Sequence, residues 1–268
     1  MLATIWNTAF FQPIMNGLLI FYAFLGNSLG WAILAFTLVL RIVLFPLHKS
    51  QLESTKKIRL IQPKLEKLRT KYKRSPQKMQ EEQLKLYRQI GYNPLGCLFS
   101  TVVPIPIMIA IFQSIRAFSG DDVTGIYSWV EGLLHINGAL VINTDFLVWD
   151  LSESYLPLAK SHGYLALWTF PYLALAVLTG LSQYFSVKLN QGLRGEEKKD
   201  KKKKKADKPE MPGMMGEMSK SMAVTFPLMT GFIALSLPAA VSLYWTVQSF
   251  AMIGIQFGYF KFFQKDKK

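Results

Sequence analysis

Apolar residues along this chain gather into long runs set apart by charged stretches, and the run LGWAILAFTLVLRIVLFPLH (29–48) is the most informative. A hydrocarbon core about 30 Å thick needs about 20 helical residues, and the run supplies that length. Its interior carries one charged side chain, Arg41. An arginine at such depth costs about 2.5–3.5 kcal/mol on insertion scales unless it meets water or a partner, which makes it a functional candidate. The alternative is snorkelling, since His48 is only about 10 Å further along the helix; Lys49 is the better-placed anchor.

Four more apolar runs read as spans: 95–117, 164–187, 220–237 and 239–261, the last two joined tightly at Leu237-Pro238. Pro104 and Pro106 are expected to kink the first of these. Residues 1–28 carry no charge, so the positive n-region of a secretory signal is missing. Asn7, Gln12, Pro13 and Asn16 interrupt this stretch, which reads as an amphipathic helix on the outer interface with Trp6 and Tyr22 at headgroup level. A full additional span is the alternative. Residues 49–94 show helical periodicity instead: Ile58, Ile61, Leu65, Leu68 and Tyr72 form one stripe, and Met79, Gln83, Leu86 and Ile90 a second. Ser75-Pro76 between them predicts an N-cap and first helical position, hence a helical hairpin closed on its own stripe. Residues 188–219 include the run GEEKKDKKKKKADKPE, expected to be disordered. Residues 262–268 form a short tail.

Charge orients these elements. Residues 49–94 hold thirteen Lys/Arg against four acids, 188–220 hold eleven against six, and 261–268 hold four against one. The 118–163 loop holds six acids and a single lysine, Lys160. Alternation of this kind follows the positive-inside rule and places the basic segments in the cytoplasm and 118–163 outside. The expected molecule is therefore an all-α, polytopic membrane protein with five transmembrane helices and a cytoplasmic helical hairpin, its N-terminus outside and its C-terminus inside. The net charge of +14 is then a matter of topology, and DNA binding is not expected. For the basic faces, including Lys56, Lys57 and Arg59, a solvated surface and contact with anionic lipid or ribosomal RNA both stay open.

No enzyme constellation is present. His48, His135 and His162 lack metal-ligand spacing, there is no Walker loop or G-x-S-x-G motif, and no span holds paired carboxylates. Neither a metal nor a cofactor is expected. The intramembrane polar set is Arg41 with hydroxyls and amides: Ser100, Thr101, Gln113 and Ser114, then Thr179, Ser182 and Gln183, then Thr225, Thr230 and Ser236, then Ser242, Thr246, Gln248, Ser249 and Gln256. Each alone suits an ordinary helix–helix contact. Together they could hold a wet groove around an arginine that lacks an acidic partner within the spans. A sealed pore would suit a channel, but five spans leave little material to enclose one, and a groove open to lipid and cytoplasm is the natural alternative. A small anion transporter or channel subunit and a membrane scaffold that recruits ribosomes are further functions open to such a chain.

The stretches TLVLRIVLFPLHKSQ (37–51), IQPKLEKLRTKYKRSPQKMQEE (61–82), YNPLG (92–96) and FPLMTGFIALSLPAAVSLYW (226–245) resemble the YidC family of membrane protein insertases, which has chloroplast and mitochondrial relatives. The resemblance implies a five-helix core with a hydrophilic groove open to cytoplasm and lipid, closed on the outer side. It puts the family's groove arginine on Arg41, its third-span glutamine on Gln183 and its fifth-span aromatic pair on Tyr244 and Trp245. The expected groove set is Arg41, Ser100, Thr101, Gln113, Gln183, Tyr244, Trp245 and Gln256. The implied function is transfer of nascent hydrophobic segments and short polar flanks from the cytoplasm into the bilayer of a bacterial inner membrane. Nascent membrane proteins, the ribosome, anionic lipids and a Sec-type translocon are the implied partners. Two departures matter. Pro104 stands where the family's second-span glutamine is expected, leaving Ser100, Thr101 or Gln113 to substitute. The basic tail is reduced to KFFQKDKK, so Lys201, Lys202, Lys203, Lys204 and Lys205 are expected to take over ribosome contact.

Overall fold

The computed structural model describes residues 2–92, 104–118, 123–134, 142–194 and 214–263. Ser100, Thr101, His135, Lys201, Lys202, Lys203, Lys204 and Lys205 lie outside them, as does most of the basic 188–219 loop. The described chain is helical apart from one two-stranded hairpin, which the all-α expectation did not include. It divides into two compact units. One takes the described residues of Met1–Val43, Val102–Gln183 and Pro227–Met252; the other takes those of Leu44–Thr101, Tyr184–Phe226 and Ile253–Lys268.

In the first unit, α1 (Leu2–Trp6), a π-helical stretch (Asn7–Phe11) and α2 (Gln12–Phe24) follow one another without a loop. Gly26 and Asn27 then take left-handed backbone angles, φ 72° and 55°, and turn the chain into α3 (Leu29–Val43). Both residue types tolerate that region because their side chains clash little with the backbone there. Ile14, Met15, Leu18, Leu19 and Tyr22 of α2 are buried with Leu29, Ala32, Ile33 and Phe36 of α3. Gly17 admits the Phe36 ring, for a Cβ there would sit 2.6 Å from ring carbon Cε2. One face of the uncharged N-terminal segment is thus buried in protein.

The run 29–48 is not one continuous helix. Leu44 leaves the helical region (φ −84°, ψ 0°) between α3 and α4 (Phe45–Lys71). Pro46, in the first turn of α4, has no N–H to extend the α3 ladder, and its ring opposes a helical carbonyl one turn back. The later spans also differ in extent. Described α6 is Pro104–Phe118 and holds both Pro104 and Pro106. The third apolar run begins its helix, α9 (Phe170–Arg194), only after a turn in which Thr169 Oγ1 lies 3.0 Å from both Gly163 O and Ala166 O. Two further helices follow, α10 (Met214–Ala234) and α11 (Ala239–Phe263).

Between α6 and α9 lie α7 (Ser128–Leu133), strands β1 (Asp145–Phe146) and β2 (Trp149–Asp150), and α8 (Tyr155–His162). The strands are antiparallel, with Phe146 opposite Trp149. This region ties itself to the α10–α11 corner through Leu156 N–H to Leu235 O (2.9 Å), Ala239 N–H to Glu153 O (2.7 Å) and Ala240 N–H to Leu151 O (3.0 Å). Where α9 meets α10, Gly180 faces Gly231: a Cβ on either glycine would lie 3.4 Å from the other's Cα. Small residues at such a contact let two backbones approach closely.

In the second unit α4 and α5 (Pro76–Gln89) form a hairpin whose buried core is Ile61, Leu65 and Leu86, with Tyr87 and Ile90 against it. Ser75 occupies the N-cap position before Pro76 but makes no side-chain capping bond.

Among the described residues one helix segment, Phe170–Gln191, is long and apolar enough to cross a bilayer. A second candidate, Leu29–Val43 with Phe45–Ile58, is split by the break at Leu44, and Ile105–Phe118 and Val224–Ala234 are shorter apolar helices. The count of five is therefore an inference from sequence. Exposure along the helices is nonetheless inverted relative to a water-soluble fold. On α9, Val177, Leu178, Leu181 and Phe185 are exposed while Thr179, Ser182 and Ser186 are buried; on α10, Leu228, Met229 and Phe232 are exposed while Thr230 is buried.

Candidate functional site

Arg41 lies in the last turn of α3 and is 8% exposed. One turn earlier Thr37 is buried, its Oγ1 donating to Ile33 O at 2.6 Å within the same helix. Tyr244, itself buried at the start of α11, is within electrostatic reach of the guanidinium. Trp245, next in the chain, packs half-buried against the core.

A second polar set joins α9 to α11. Thr179 Oγ1 lies 2.8 Å from Leu175 O of its own helix, 2.9 Å from Thr246 Oγ1 and 3.2 Å from Ser242 O. One hydroxyl carries one proton, so whenever Thr179 donates to a carbonyl, Thr246 is the donor between the two hydroxyls. About one turn further on, Ser182 Oγ donates to Thr179 O at 2.9 Å and Ser249 Oγ donates to Gln183 Oε1 at 2.7 Å. The contributing positions on α11, Ser242, Thr246 and Ser249, recur at helical spacing and so share a face. These pairs satisfy buried polar groups on two largely apolar helices, and they keep the Gln183 amide in place.

What decides the family is the extent of the match. A family model described as 60Kd inner membrane protein covers residues 20–267. The chain belongs to this family. Among its relatives are "Membrane protein insertase YidC" of Clostridium tetani, 28% identical over 85% of this chain and 79% of its own, and "Inner membrane ALBINO3-like protein 2, chloroplastic" of Chlamydomonas reinhardtii, 28% identical over 85% and 49%. A third is "ALBINO3-like protein 1, chloroplastic" of Arabidopsis thaliana, 29% identical over 81% of this chain and 40% of its own. The chain thus spans half or less of the length of the plastid relatives.

Within this member of the 60Kd inner membrane protein family, the structure brings some of the expected residues together and separates others. Gln183 stands in the paired set with Ser249, and Tyr244 is within electrostatic reach of Arg41. Gln113 is exposed and accepts a hydrogen bond from Trp6 Nε1 at 2.8 Å, so its described partner is the N-terminal helix. Gln256 is fully buried, and neither amide atom finds a partner among the described residues. A buried, unsatisfied amide costs about 1–3 kcal/mol, which calls for ordered water or a ligand group there. On α4, Lys57 is exposed and Lys56 half-buried; the Arg59 side chain lies outside the described residues. Among the described residues no group of three His, Cys, Asp or Glu side chains could hold a metal ion.

Thr179, Thr246 and Ser249 are functional candidates that the sequence reading noted without assigning to the site. Their signal was available: hydroxyls at i, i+4 and i+7 on one apolar helix, facing a second helix with the same habit.

Proposed function

We propose that this protein is a membrane protein insertase. A nascent hydrophobic segment enters from the cytoplasm, its polar or acidic flank rests in a hydrated groove beside Arg41, and the segment leaves sideways into lipid. Five spans carry the groove, with 49–94, 188–219 and 262–268 cytoplasmic and 1–28 and 118–163 outside. The burial of Arg41 within apolar α3 carries this reading. A fixed positive charge there lowers the desolvation cost of an acidic flank, and lipid burial of the apolar segment drives release. The inverted exposure of α9 and α10 supports a lipid-facing bundle. Hydrogen bonds from Asn16 Nδ2 to Gly125 O (3.0 Å) and from Tyr127 N–H to Asn16 Oδ1 (2.8 Å) tie α2 to the acidic 118–163 region, in keeping with an outer position for both. The ribosome, anionic lipids and a Sec-type translocon are the proposed partners, with Lys56, Lys57, Arg59 and the 201–205 lysines as the basic contacts.

The test is reconstitution of the purified chain alone in liposomes with a short substrate whose translocated tail is acidic. Arg41→Ala reduces insertion about tenfold, the scale of one charge–charge interaction in a partly polar medium. Arg41→Lys restores most of it, because a field needs no bidentate geometry. Unchanged insertion by Arg41→Ala refutes the groove charge. Solute flux without insertion replaces the reading with a transporter, and ribosome binding alone replaces it with a scaffold.

A further inference from the structure

The β1–β2 hairpin is closed by Leu147 and Val148. Two-residue hairpin loops favour Asn-Gly or Asp-Gly, because the turn needs left-handed backbone and is bathed in water. Here Leu147 holds φ 56°, a region that a branched aliphatic side chain seldom enters. It is 79% exposed, and Val148 is 65% exposed. Neither turn geometry nor packing within the protein accounts for two aliphatic side chains at this tip.

The base of the hairpin is held at two points. Phe146 lies over Gly30, where a Cβ would overlap the ring, and meets Trp31 edge-on at 5.5 Å between centroids. On the other strand Asp150 N–H donates to Tyr172 Oη at 2.8 Å. Gly30 and Trp31 belong to the first turn of α3, and Tyr172 to the first turn of α9. The hairpin is therefore fixed at the level where two apolar helices begin. Trp31 (54% exposed) and Trp168, just before α9, are exposed there as well. Tryptophan at both helix starts is the usual mark of the membrane–water interface.

We propose that Leu147 and Val148 form an interfacial lipid anchor, dipping into the glycerol–acyl boundary of the outer leaflet. The proposal rests on the topology given under the proposed function. Lipid is favoured over a protein partner because the two helix starts that hold the hairpin also expose Trp31, Trp168 and Phe170. Headgroup charge is not the attraction: the 118–163 segment has six acids and one lysine, so depth should not increase when anionic lipid is added.

The experiment uses the full chain with Cys97→Ser, carrying Leu147→Cys or, separately, Val148→Cys, labelled with a nitrobenzoxadiazole fluorophore in phosphatidylcholine vesicles. Lys160→Cys, on the exposed face of α8, is the aqueous reference. The expected result at both tip positions is strong quenching by shallow doxyl-lipid, with iodide quenching severalfold weaker than at position 160. Phosphatidylglycerol should leave both unchanged. A tip probe that iodide reaches as freely as position 160 overturns the anchor, even if it becomes shielded in native membranes, since that shielding would come from a protein. Insertion is assayed in the same vesicles. Lipid quenching without insertion defeats the insertase reading and keeps the anchor; insertion with an iodide-exposed tip does the reverse.

Discussion

The α9–α11 contact and the α4–α5 hairpin are both helix pairs, yet they are built inside out with respect to each other. In the hairpin Ile61, Leu65 and Leu86 are buried and the lysines around them face outward. In the other pair Thr179, Ser242 and Thr246 are buried while Val177, Leu178, Leu181 and Phe250 are exposed. The physics is common to both; on the topology proposed above, the surroundings differ. In water, removing an apolar side chain from solvent gains about 25 cal/mol per Å², and that gain holds a hairpin shut. In lipid that gain vanishes, so association falls to close packing and to hydrogen bonds that would otherwise go unmade. Each region therefore responds to a different class of substitution.

The largest expected effect tests close packing. Gly231→Leu inserts a branched side chain where Gly180 and the Ala176 carbonyl already stand within 4 Å of a built Cβ. Overpacking of this kind costs about 3 kcal/mol at its upper range. Thermal unfolding of the detergent-purified protein should fall sharply, whereas Gly231→Ala, whose Cβ meets only ordinary contacts, should stay close to the parent. If Leu is tolerated as well as Ala, the α9–α10 approach is not tight. The hairpin responds to the opposite change. Leu86→Ala removes one of its three buried residues and should cost about 2 kcal/mol. Hydrogen exchange should quicken across 76–89 while amides of α9 keep their protection.

The hairpin was largely legible in the sequence because its signals are local. A 3–4 spacing of Ile61, Leu65 and Leu68 and the Ser75-Pro76 break are both contained in short windows, and water as solvent makes burial follow hydrophobicity. Tyr87 is the partial exception: it packs on the core beside Ile90, yet the predicted stripe of Met79, Gln83, Leu86 and Ile90 did not include it. Arg41 was legible for a related reason, as one charge in an apolar run needs no partner to be noticed. The bundle resisted reading. Apolarity alone cannot distinguish Leu18, buried against α3, from Trp31, which is exposed, because lipid and protein interior both accept a large apolar side chain. The Thr179–Thr246 and Gln183–Ser249 pairs join positions more than sixty residues apart, and no local window contains them. The break at Leu44 did have a local signal in Pro46, outweighed in the sequence reading by the length of the apolar run.

A smaller effect sharpens the contrast on the polar side. Thr246→Val keeps the side-chain shape and deletes the hydroxyl that pairs with Thr179. Hydrogen bonds between helices in a bilayer average about 0.6 kcal/mol, and the unfolded chain in lipid finds substitutes. The loss should therefore be well below that of Leu86→Ala. Pairing Thr246→Val with Thr179→Val in a double-mutant cycle gives the coupling itself. A coupling near zero would mean that Thr179 is satisfied by Leu175 O alone and that the buried polar row does not hold the helices together.

The smallest effect concerns the segment that ties itself to the α10–α11 corner, where a titratable carboxyl carries a local hydrogen-bond set. Burial tends to raise the Asp150 carboxyl, but hydrogen bonds from the Ser152 hydroxyl and N–H and from Thr144 outweigh it and hold the group below the ordinary carboxylate value. The sign follows from linkage. A carboxyl with a lowered folded pKa contributes stability that is fully present above its unfolded value, near 4, and is lost as pH falls through the lower folded value. The parent should therefore lose a fraction of its stability in that acid window, and Asp150→Asn should show a shallower loss there. At neutral pH the variant should be slightly less stable than the parent, because a neutral amide accepts from the Ser152 N–H more weakly than a carboxylate does. Melting temperatures of both proteins between pH 3 and pH 7 supply the comparison. Parallel curves would mean that Asp150 holds the strand end by shape and that its charge is incidental to the fold.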